Sequence, residues 1–213
     1  MKKKMLPERT VERLSEYRRT LLRKLSEGTT HIHSHSLASM HGITAVQVRR
    51  DLMLIGFSSD NKKGYNVSEL IDFISSILDS QSVIGVAVVG MGRLATAITS
   101  YFNGKRSKMR IVAAFDNDPD KIGREIASIP VYPIDEFAEQ CKRLSVRIAL
   151  LTLPAKAIDG IRHIIDASPV EGVLNFTSKP FTPAEGSDIY VEDYDIITLL
   201  EKVAYFIKDD DIS

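Results

Sequence analysis

Apolar residues change their spacing along the chain near residue 83. Over residues 8–27 they recur at helical spacing, with Leu14, Leu21 and Leu25 separated by Arg and Glu. From Val83 onward, short apolar runs alternate with amphipathic segments. The runs predict strands at 83–89, 111–115, 146–152 and 172–176 and a shorter one at 130–132, with helices at 94–101, 134–142 and 155–167. This alternation predicts an α/β Rossmann domain, a doubly wound parallel sheet, over residues 81–195.

Residues 1–80 predict a domain of a different kind. A short helix over residues 36–40, with a serine as a candidate cap, precedes the tight turn His41-Gly42-Ile43, and Thr44 is a suitable N-cap for a second helix over residues 45–54. Residues 56–67 predict a hairpin wing with a basic tip. Residues 68–78 predict another amphipathic helix, which leads into a linker at 79–82. This order predicts an N-terminal winged-helix DNA-binding domain.

The first predicted strand of the second part ends in a glycine-rich turn, Gly90-Met91-Gly92-Arg93-Leu94-Ala95. Gly90 permits the tight turn off the strand, Gly92 lets the backbone approach a pyrophosphate, and Ala95 still lets the helix pack closely. The free N–H groups at the start of the helix face the phosphate charge. The turn therefore predicts a dinucleotide site.

An acidic residue, Asp116, ends the second predicted strand, at roughly the 20-residue offset that dinucleotide sites use for the ribose. A carboxylate there accepts hydrogen bonds from the ribose hydroxyls and repels a 2′-phosphate, and Asp118 adds a second negative charge. The predicted cofactor is therefore NADH or NAD⁺ rather than NADP(H). Asp116 also suits a structural role as the cap of the turn that follows, and the two roles are compatible.

Charge is balanced overall but uneven along the chain. Lys plus Arg and Asp plus Glu each number 28, yet basic residues dominate positions 1–63 and acidic residues close the chain. A basic N-terminal region favours contact with nucleic acid or with an acidic surface of a partner subunit. Cys141 is the single cysteine, which excludes an internal disulfide and favours a reducing compartment. With no apolar run of transmembrane length and no signal-peptide pattern, we expect a cytoplasmic protein without a membrane partner.

The second helix of the predicted helix-turn-helix carries candidate DNA contacts. Its N-terminal half, which would enter the major groove, holds Thr44, Ala45 and Gln47. A glutamine can bond adenine through two hydrogen bonds, and a small apolar group can touch a thymine methyl. Basic residues suit guanine or phosphate, and each alone is equally consistent with an ordinary solvated side chain. The candidates are Arg49 and Arg50 on the helix and Lys62 and Lys63 on the wing.

The histidines do not predict a catalytic or metal site. His31, His33 and His35 could share one strand face, but no nearby cysteine or acid completes a set of metal ligands. A hydride-transfer enzyme also needs a substrate pocket with a placed acid or base, usually from a second domain. The remaining length of this chain is occupied by the DNA-binding type of domain. We therefore expect neither a bound metal nor an enzyme.

Motifs along nearly the whole chain, taken jointly and in order, resemble those of the Rex family of redox-sensing transcriptional repressors. They are TAVQVRRDL at 44–52, GYNV at 64–67, VGMGRL at 89–94, AAFDNDP at 113–119, KIG at 121–123, LTLPA at 151–155 and GVLNF at 172–176. The resemblance implies a winged-helix domain fused to a Rossmann domain, a homodimer, and binding to palindromic operator DNA governed by the ratio of NADH to NAD⁺. In this family NADH favours release from DNA.

The resemblance also implies roles for individual residues. Nucleotide contacts are implied, besides the two glycines and Asp116, for Met91, Arg93, Leu94, Tyr101, Asp118, Lys121, Thr152, Leu153, Pro154, Asn175 and Phe176. Tyr65 joins the implied DNA contacts. Tyr101 matches a family tyrosine near the nicotinamide, and Arg19 and Asp195 match positions that link the two domains. We predict a polar network among the three that exists in only one redox state. Alternatively, Tyr101 packs in the core and the two charges form a surface pair.

The tail, residues 196–213, carries an apolar stripe, and the family implies that this C-terminal helix is domain-swapped into the partner of the dimer. Three features depart from the family pattern: Ala95 in place of a glycine, Thr177-Ser178 in place of Ala-Pro, and a wing with little glycine. Two other functions remain open. One is a winged-helix repressor whose Rossmann domain senses another nucleotide-type ligand, such as a nucleotide sugar or coenzyme A. The other is an NAD-dependent oxidoreductase whose N-terminal helices serve dimerisation.

Overall fold

A computed structural model describes residues 5–58, 63–102 and 108–207. The chain divides into two compact units, Met1–Gln81 and Ser82–Ser213. None of the helices in the described ranges is long and apolar enough to cross a membrane.

The first unit is a helical domain that includes a two-stranded sheet. Its elements in chain order are α1 (Glu8–Ser26), β1 (His31–Ile32), α2 (Ser34–Met40), α3 (Ala45–Leu54), β2 (Tyr65–Asn66) and α4 (Val67–Leu78). The helices bury residues at three- and four-residue spacing, which is the period of one helix face. The almost fully buried side chains of this core include Leu14, Tyr17, Leu21, Leu37, Val48, Leu52, Leu70 and Ile74. The helical periods read from the sequence over α1, α3 and α4 are confirmed.

The turn between α2 and α3 has the expected geometry. Gly42 has a φ of 63°, and the Thr44 hydroxyl accepts a hydrogen bond from the Gln47 N–H at 3.1 Å, as an N-cap does. The expectation of a serine cap on α2 is wrong, because α2 begins at Ser34, after His33, whose side chain makes no capping hydrogen bond. The helix-turn-helix itself is confirmed.

The hairpin predicted over residues 56–67 is wrong in its strand pairing. Within the described part of this segment, Tyr65–Asn66 pairs antiparallel with His31–Ile32, and residues 56–58 form no strand. At Gly64 φ is 90°, and an added Cβ would lie 2.6 Å from the carbonyl oxygen of Ile32. The glycine therefore lets β2 approach the backbone of β1. The paired residues are 33 or more positions apart, so the local sequence pattern does not reveal this pairing. The predicted wing contact Lys62 lies outside the described residues.

The second unit is a mostly parallel sheet with helices on both faces. Its strands are β3 (Ile84–Val89), β4 (Met109–Asp116), β5 (Glu125–Ile126), β6 (Ile129–Pro133), β7 (Val146–Leu151), β8 (Gly172–Asn175) and β9 (Tyr190–Asp193), and its helices are α5 (Arg93–Phe102), α6 (Phe137–Arg143), α7 (Ile158–Asp166) and α8 (Ile196–Phe206). The sheet order is β5-β6-β4-β3-β7-β8-β9. Neighbouring strands of this sheet are parallel, apart from the antiparallel pair β5 and β6. Without β5 this is the 3-2-1-4-5-6 order of the Rossmann fold, so the predicted fold is confirmed.

Successive residues of the central strand face opposite sides of the sheet, as the two-residue period of a strand requires. Val89 packs with Phe115 and Phe137 on one side, whereas Val88 packs with Ala95 on the other. Ala95 is fully buried, so the small side chain lets α5 pack closely against the sheet. Burial raises the pKa of the Cys141 thiol to about 12, which keeps it protonated and unreactive.

Two strands have no signal in the apolar pattern. β9 is mostly exposed and polar along Tyr190–Asp193. β5 turns into β6 through Ala127 and Ser128, whose φ angles of 51° and 62° are left-handed, a conformation usually announced by glycine or asparagine. Both strands lie at the sheet edges, where one neighbour suffices and no apolar run is needed.

The last helix, α8, forms as predicted and buries none of its residues. Asp195 caps it, since its carboxylate accepts hydrogen bonds from the Ile197 N–H at 3.0 Å and from the Thr198 hydroxyl at 2.9 Å. Leu200 and Phe206 are 62% and 74% exposed. The apolar stripe of this helix is therefore left uncovered in the single chain.

Candidate nucleotide cleft and DNA-binding helix

A cleft opens at the carboxyl ends of β3, β4 and β7. The strand order reverses between β3 and β7, which is where open α/β sheets bind ligands. The cleft has a volume of about 570 Å³. Its lining residues are Val89, Gly90, Gly92, Phe115, Asp116, Asn117, Asp118, Lys121, Ile134, Thr152, Leu153, Pro154, Lys156, Ala157 and Ile161. The glycine turn, the acidic residues after β4 and the segment after β7 are thus brought together.

The two glycines of the turn have different reasons to be glycine. Gly90 has a φ of 90°, and a Cβ there would lie 3.0 Å from Leu153, so the fold itself excludes a side chain. A Cβ on Gly92 would meet no protein atom within 4 Å, and Gly92 lines the cleft. The protein leaves this space open, as a backbone that must approach a phosphate requires. The residues therefore fit a dinucleotide.

Hydrogen bonds between neighbouring strand ends fix the turn in place. The Gly90 N–H donates to the Phe115 carbonyl at 2.8 Å. Thr152 donates from its N–H to the Val89 carbonyl at 2.9 Å and from its hydroxyl to the Gly90 carbonyl at 2.8 Å. The phosphate-facing turn is therefore held by both strands that flank β3.

Asp116 is 8% exposed, and its carboxylate already accepts four hydrogen bonds. One oxygen binds the N–H groups of Asn117 and Asp118 at 2.9 and 3.0 Å, and the other binds the Met91 N–H at 2.8 Å and the Lys121 ammonium at 3.0 Å. Burial opposes ionisation, but the hydrogen bonds from Lys121 and from the Asp118 and Met91 backbones outweigh it and lower the pKa of Asp116. The carboxylate thus caps the turn after β4 and also ties that turn to the glycine loop.

Asp118 presents its carboxylate more openly to the cleft. Its side chain is 41% exposed, and Lys121 approaches it at 3.3 Å. The hydrogen bond to Asp116 and the charge of both acids raise the pKa of Lys121 above its ordinary value. A ribose at this edge would therefore meet one exposed acid and one lysine. Lys156, which also lines the cleft, was missed from the sequence although it directly follows Ala155, the last residue of the LTLPA motif.

Several other predicted nucleotide contacts have different surroundings. Asn175 is fully buried, and its amide donates to the Lys179 carbonyl at 2.8 Å and to the Asp193 carboxylate at 2.6 Å. Phe176 lies against the ring of Tyr194, with centroids 5.5 Å apart. Met91 is buried and contributes its backbone N–H, while Arg93 and Leu94 are exposed at the start of α5. Asn175 therefore organises the loop after β8.

The three residues of the predicted switch network lie on separate elements. Arg19 is exposed on α1 of the first unit. In the second unit, Tyr101 is 71% exposed near the end of α5, and Asp195 caps α8. The network stays a prediction. Arg18, the neighbour of Arg19, pairs at 2.6 Å with Asp79 at the end of α4.

The helix α3 has one exposed face, on which the DNA-contact candidates are unequally placed. Arg49 and Arg50 are exposed, and Arg49 donates to the Ser34 hydroxyl at 3.1 Å. The Gln47 amide donates to Asp51 at 2.9 Å. Val46 is also exposed and lies three and four positions before the two arginines.

The remaining DNA-contact candidates serve partly structural roles. Thr44 is the exposed N-cap of α3, and Ala45 packs against the core of the first unit. Tyr65 is half-buried in β2, with its ring 5.9 Å from that of Phe57, and Lys63 directly precedes Gly64. Among the described residues, the histidines and acids form no group of three or more that could hold a metal ion.

Comparison with known proteins matches both units. A CoA binding domain model matches residues 82–179, and a model of a putative DNA-binding protein N-terminus matches residues 5–52. The chain is 35% identical to a redox-sensing transcriptional repressor Rex of Desulforamulus reducens, over 96% of this chain and 97% of that protein. The solved structure of RSP with β-NAD⁺ and operator DNA is similar at a TM-score of 0.86 and 25% identity, over 96% of this chain and 94% of that one. RSP with β-NADH is similar at a TM-score of 0.82 and 25% identity, over 96% and 95% of the two chains.

Proposed function

The chain belongs to the Rex family of redox-sensing transcriptional repressors, and on that premise we propose that it represses transcription by binding palindromic operator DNA, from which NADH releases it. The observation that carries this proposal is the union, in one chain, of a capped helix-turn-helix with a Rossmann cleft whose Gly92 leaves room for a phosphate. RSP, a relative of the same fold, is known in complex with NADH and in complex with NAD⁺ and operator DNA. The protein would thus read the ratio of NADH to NAD⁺.

In the proposed complex the pyrophosphate lies against Gly92 and the start of α5, where the N–H groups of the first helical turn would offset its charge. The adenosine ribose lies against Asp118 and Lys121. Thr152, Leu153 and Pro154, at the end of β7, lie on the other side of the glycine turn and suit the nicotinamide half. The nicotinamide supplies the signal, because its two redox forms differ by a hydride and one positive charge.

We propose that the chain senses this cofactor without catalysing hydride transfer. The described residues that line the cleft include two aspartates and two lysines but no histidine, cysteine or tyrosine to act as a placed acid or base. Both Asp116 and Lys121 are engaged with each other. This composition suits binding, and the curated relative is a repressor.

The active form is proposed to be a homodimer in the cytoplasm. The exposed apolar stripe of α8 needs a partner surface, and a palindromic operator matches a twofold dimer. We propose that each α8 swaps into the partner subunit, and that closure around NADH moves the DNA-binding units through this contact. Arg19, Tyr101 and Asp195 are proposed to form the polar link that exists in one redox state only.

A second candidate has one observation in its favour. The match of residues 82–179 to a CoA binding domain keeps open a repressor whose cleft accepts another nucleotide-type ligand. Coenzyme A and NADH share an adenosine and a pyrophosphate, and the glycine turn would serve either.

One titration separates these functions. Fluorescence anisotropy of a labelled AT-rich palindromic duplex is followed while NADH, NAD⁺ or coenzyme A is added to the full-length protein. We expect release by NADH at concentrations at which the other two leave the complex intact. Release by coenzyme A alone would favour the second candidate, and a chain that binds NADH but no duplex would contradict the repressor function.

A further inference from the structure

The exposed face of α3 carries apolar side chains between two arginines. Val46 and Met53 are 55% and 74% exposed, and Arg49 and Arg50 lie between them on the same face, at positions i, i+3, i+4 and i+7. Together with Leu54 they line a shallow groove of about 450 Å³. Because these apolar side chains share one groove with two arginines, the face suits a partner that combines apolar groups with negative charge.

The opposite face of α3 is anchored by a buried carboxylate. Asp51 is fully buried and accepts hydrogen bonds from Arg13 at 2.7 Å through Nε and 2.7 Å through Nη2, from the Tyr17 hydroxyl at 2.9 Å and from Gln47 at 2.9 Å. Burial opposes the charge on Asp51, but the hydrogen bonds from Arg13, Tyr17 and Gln47 outweigh it and lower the pKa. The three hydrogen bonds from Arg13 and Tyr17 on α1 fix the rotation of α3 about its own axis, whereas the bond from Gln47 lies within α3.

This anchor decides which side chains α3 presents. The Gln47 side chain lies along the helix toward Asp51, so bidentate recognition of adenine would require it to leave a buried, charged partner. Ala45 packs against the core. Val46 is the side chain of the first turn that stands on the exposed face, and the first turn of a recognition helix enters the major groove most deeply.

We propose that Val46, rather than Gln47, reads a base, by packing its methyl groups against the C5-methyl of a thymine in the major groove. Arg49 and Arg50 flank it and supply the positive charge that matches guanine edges or phosphates. The inference rests on the proposed binding to DNA. It adds the residue and the base chemistry that give specificity.

The experiment deletes single methyl groups from the DNA. A duplex is selected from a randomised palindromic library with the full-length wild-type protein, and each thymine is then replaced in both half-sites by deoxyuridine, which lacks only the C5-methyl. At one thymine per half-site we expect the affinity to fall by about fourfold per half-site, or about 16-fold for the duplex. Val46→Ala should bind the thymine and uracil duplexes equally. Gln47→Ala and Met53→Ala should keep the wild-type ratio of affinities for the thymine and uracil duplexes. Circular dichroism checks that each variant is folded.

Each other result counts against the inference. Suppose that Gln47→Ala binds the thymine and uracil duplexes equally, whereas Val46→Ala still prefers thymine. Gln47 must then release Asp51 when the protein binds DNA, and the inference is wrong. Indifference of the wild-type protein to every methyl deletion would also overturn it, while selection of a duplex would leave DNA binding itself intact. If no duplex is retained, the proposed function and the inference both fail. A changed mass of Val46→Ala in light scattering, with the thymine ratio intact, would assign this face to a protein contact instead.

Discussion

Replacing Gly92 by alanine should weaken nucleotide binding while leaving the fold intact. A Cβ at this position meets no protein atom within 4 Å, and the backbone there is not left-handed. Alanine in place of a compatible glycine stabilises a fold by about 0.4–1 kcal/mol, through the entropy of the unfolded chain. Because Gly92 lines the cleft, the added methyl occupies the space that a pyrophosphate would use.

The size of the loss follows from the hydrogen bonds at stake. Displacing the pyrophosphate breaks at least one hydrogen bond to a charged group, which is worth about 1.5–3 kcal/mol. The dissociation constant for NADH should therefore rise by about 10- to 150-fold. Gly90→Ala should behave differently, because its φ of 90° and the 3.0 Å approach to Leu153 place the strain in the protein itself. A left-handed alanine costs about 1–2 kcal/mol, so that variant should lose stability first.

The assay pairs isothermal titration calorimetry with thermal unfolding of the ligand-free protein. Gly160→Ala is the matched control, since a Cβ there also meets nothing within 4 Å and the residue lies within α7 without lining the cleft. It should gain about 1 kcal/mol in stability from helix propensity and bind NADH as the wild type does. Unchanged NADH affinity in Gly92→Ala would refute the assignment of the cleft. If Gly92→Ala lost NADH affinity together with thermal stability, the claim that a methyl group at this position does not disturb the fold would be refuted.

Three further predictions concern charge and assembly. Asp51→Ala should lower the free energy of unfolding of the DNA-binding unit by about 3 kcal/mol, because it leaves Arg13 and Tyr17 without their shared acceptor; equal stability in urea unfolding would contradict this. The pKa of Asp51 is lowered on folding, so its contribution to the free energy of unfolding is present above the unfolded pKa of about 3.9 and is lost as the pH falls below that value. The stability of the variant should therefore depend less on acid pH than that of the wild type. Asp118→Asn should raise the affinity for NADPH relative to NADH by about tenfold, because it removes the exposed acid and leaves Lys121. An unchanged ratio of the two affinities in competition titrations would show that Asp116 alone excludes the 2′-phosphate. Leu200→Glu should convert the proposed dimer into monomers in light scattering and abolish NADH-driven release, because it places a charge on the exposed stripe of α8. A stable dimer that still responds to NADH would rule out the swapped helix.

Local signals in the sequence predicted the parts of the protein that short-range interactions build. The cap of α3 joins Thr44 to Gln47, three positions away, and the turn before it depends on the left-handed φ of Gly42. The central strands were found because both faces of a parallel sheet are covered, which requires continuous apolar runs. The glycine turn was found because its glycines lie at a fixed short spacing, which is set by binding a phosphate at a helix N-terminus.

Contacts between distant positions could be settled only by the tertiary structure. Asp116 was predicted to bind ribose and, compatibly, to cap a turn. Its bond to the Met91 N–H, 25 positions earlier, was not predicted, because it exists only where β3 and β4 are neighbours. The partner of β2 is β1 for the same kind of reason.

The sequence by itself determined the two-domain plan, the helix-turn-helix and the dinucleotide turn, because each is encoded by periodicity or by residues a few positions apart. It did not determine which face of α3 is presented. That depends on an ion pair between Arg13 and the buried Asp51, 38 positions apart, while Gln47 donates to the same carboxylate and Val46 stays exposed. Only folding brings such groups together, because the free energy of a buried charge depends on every element packed around it.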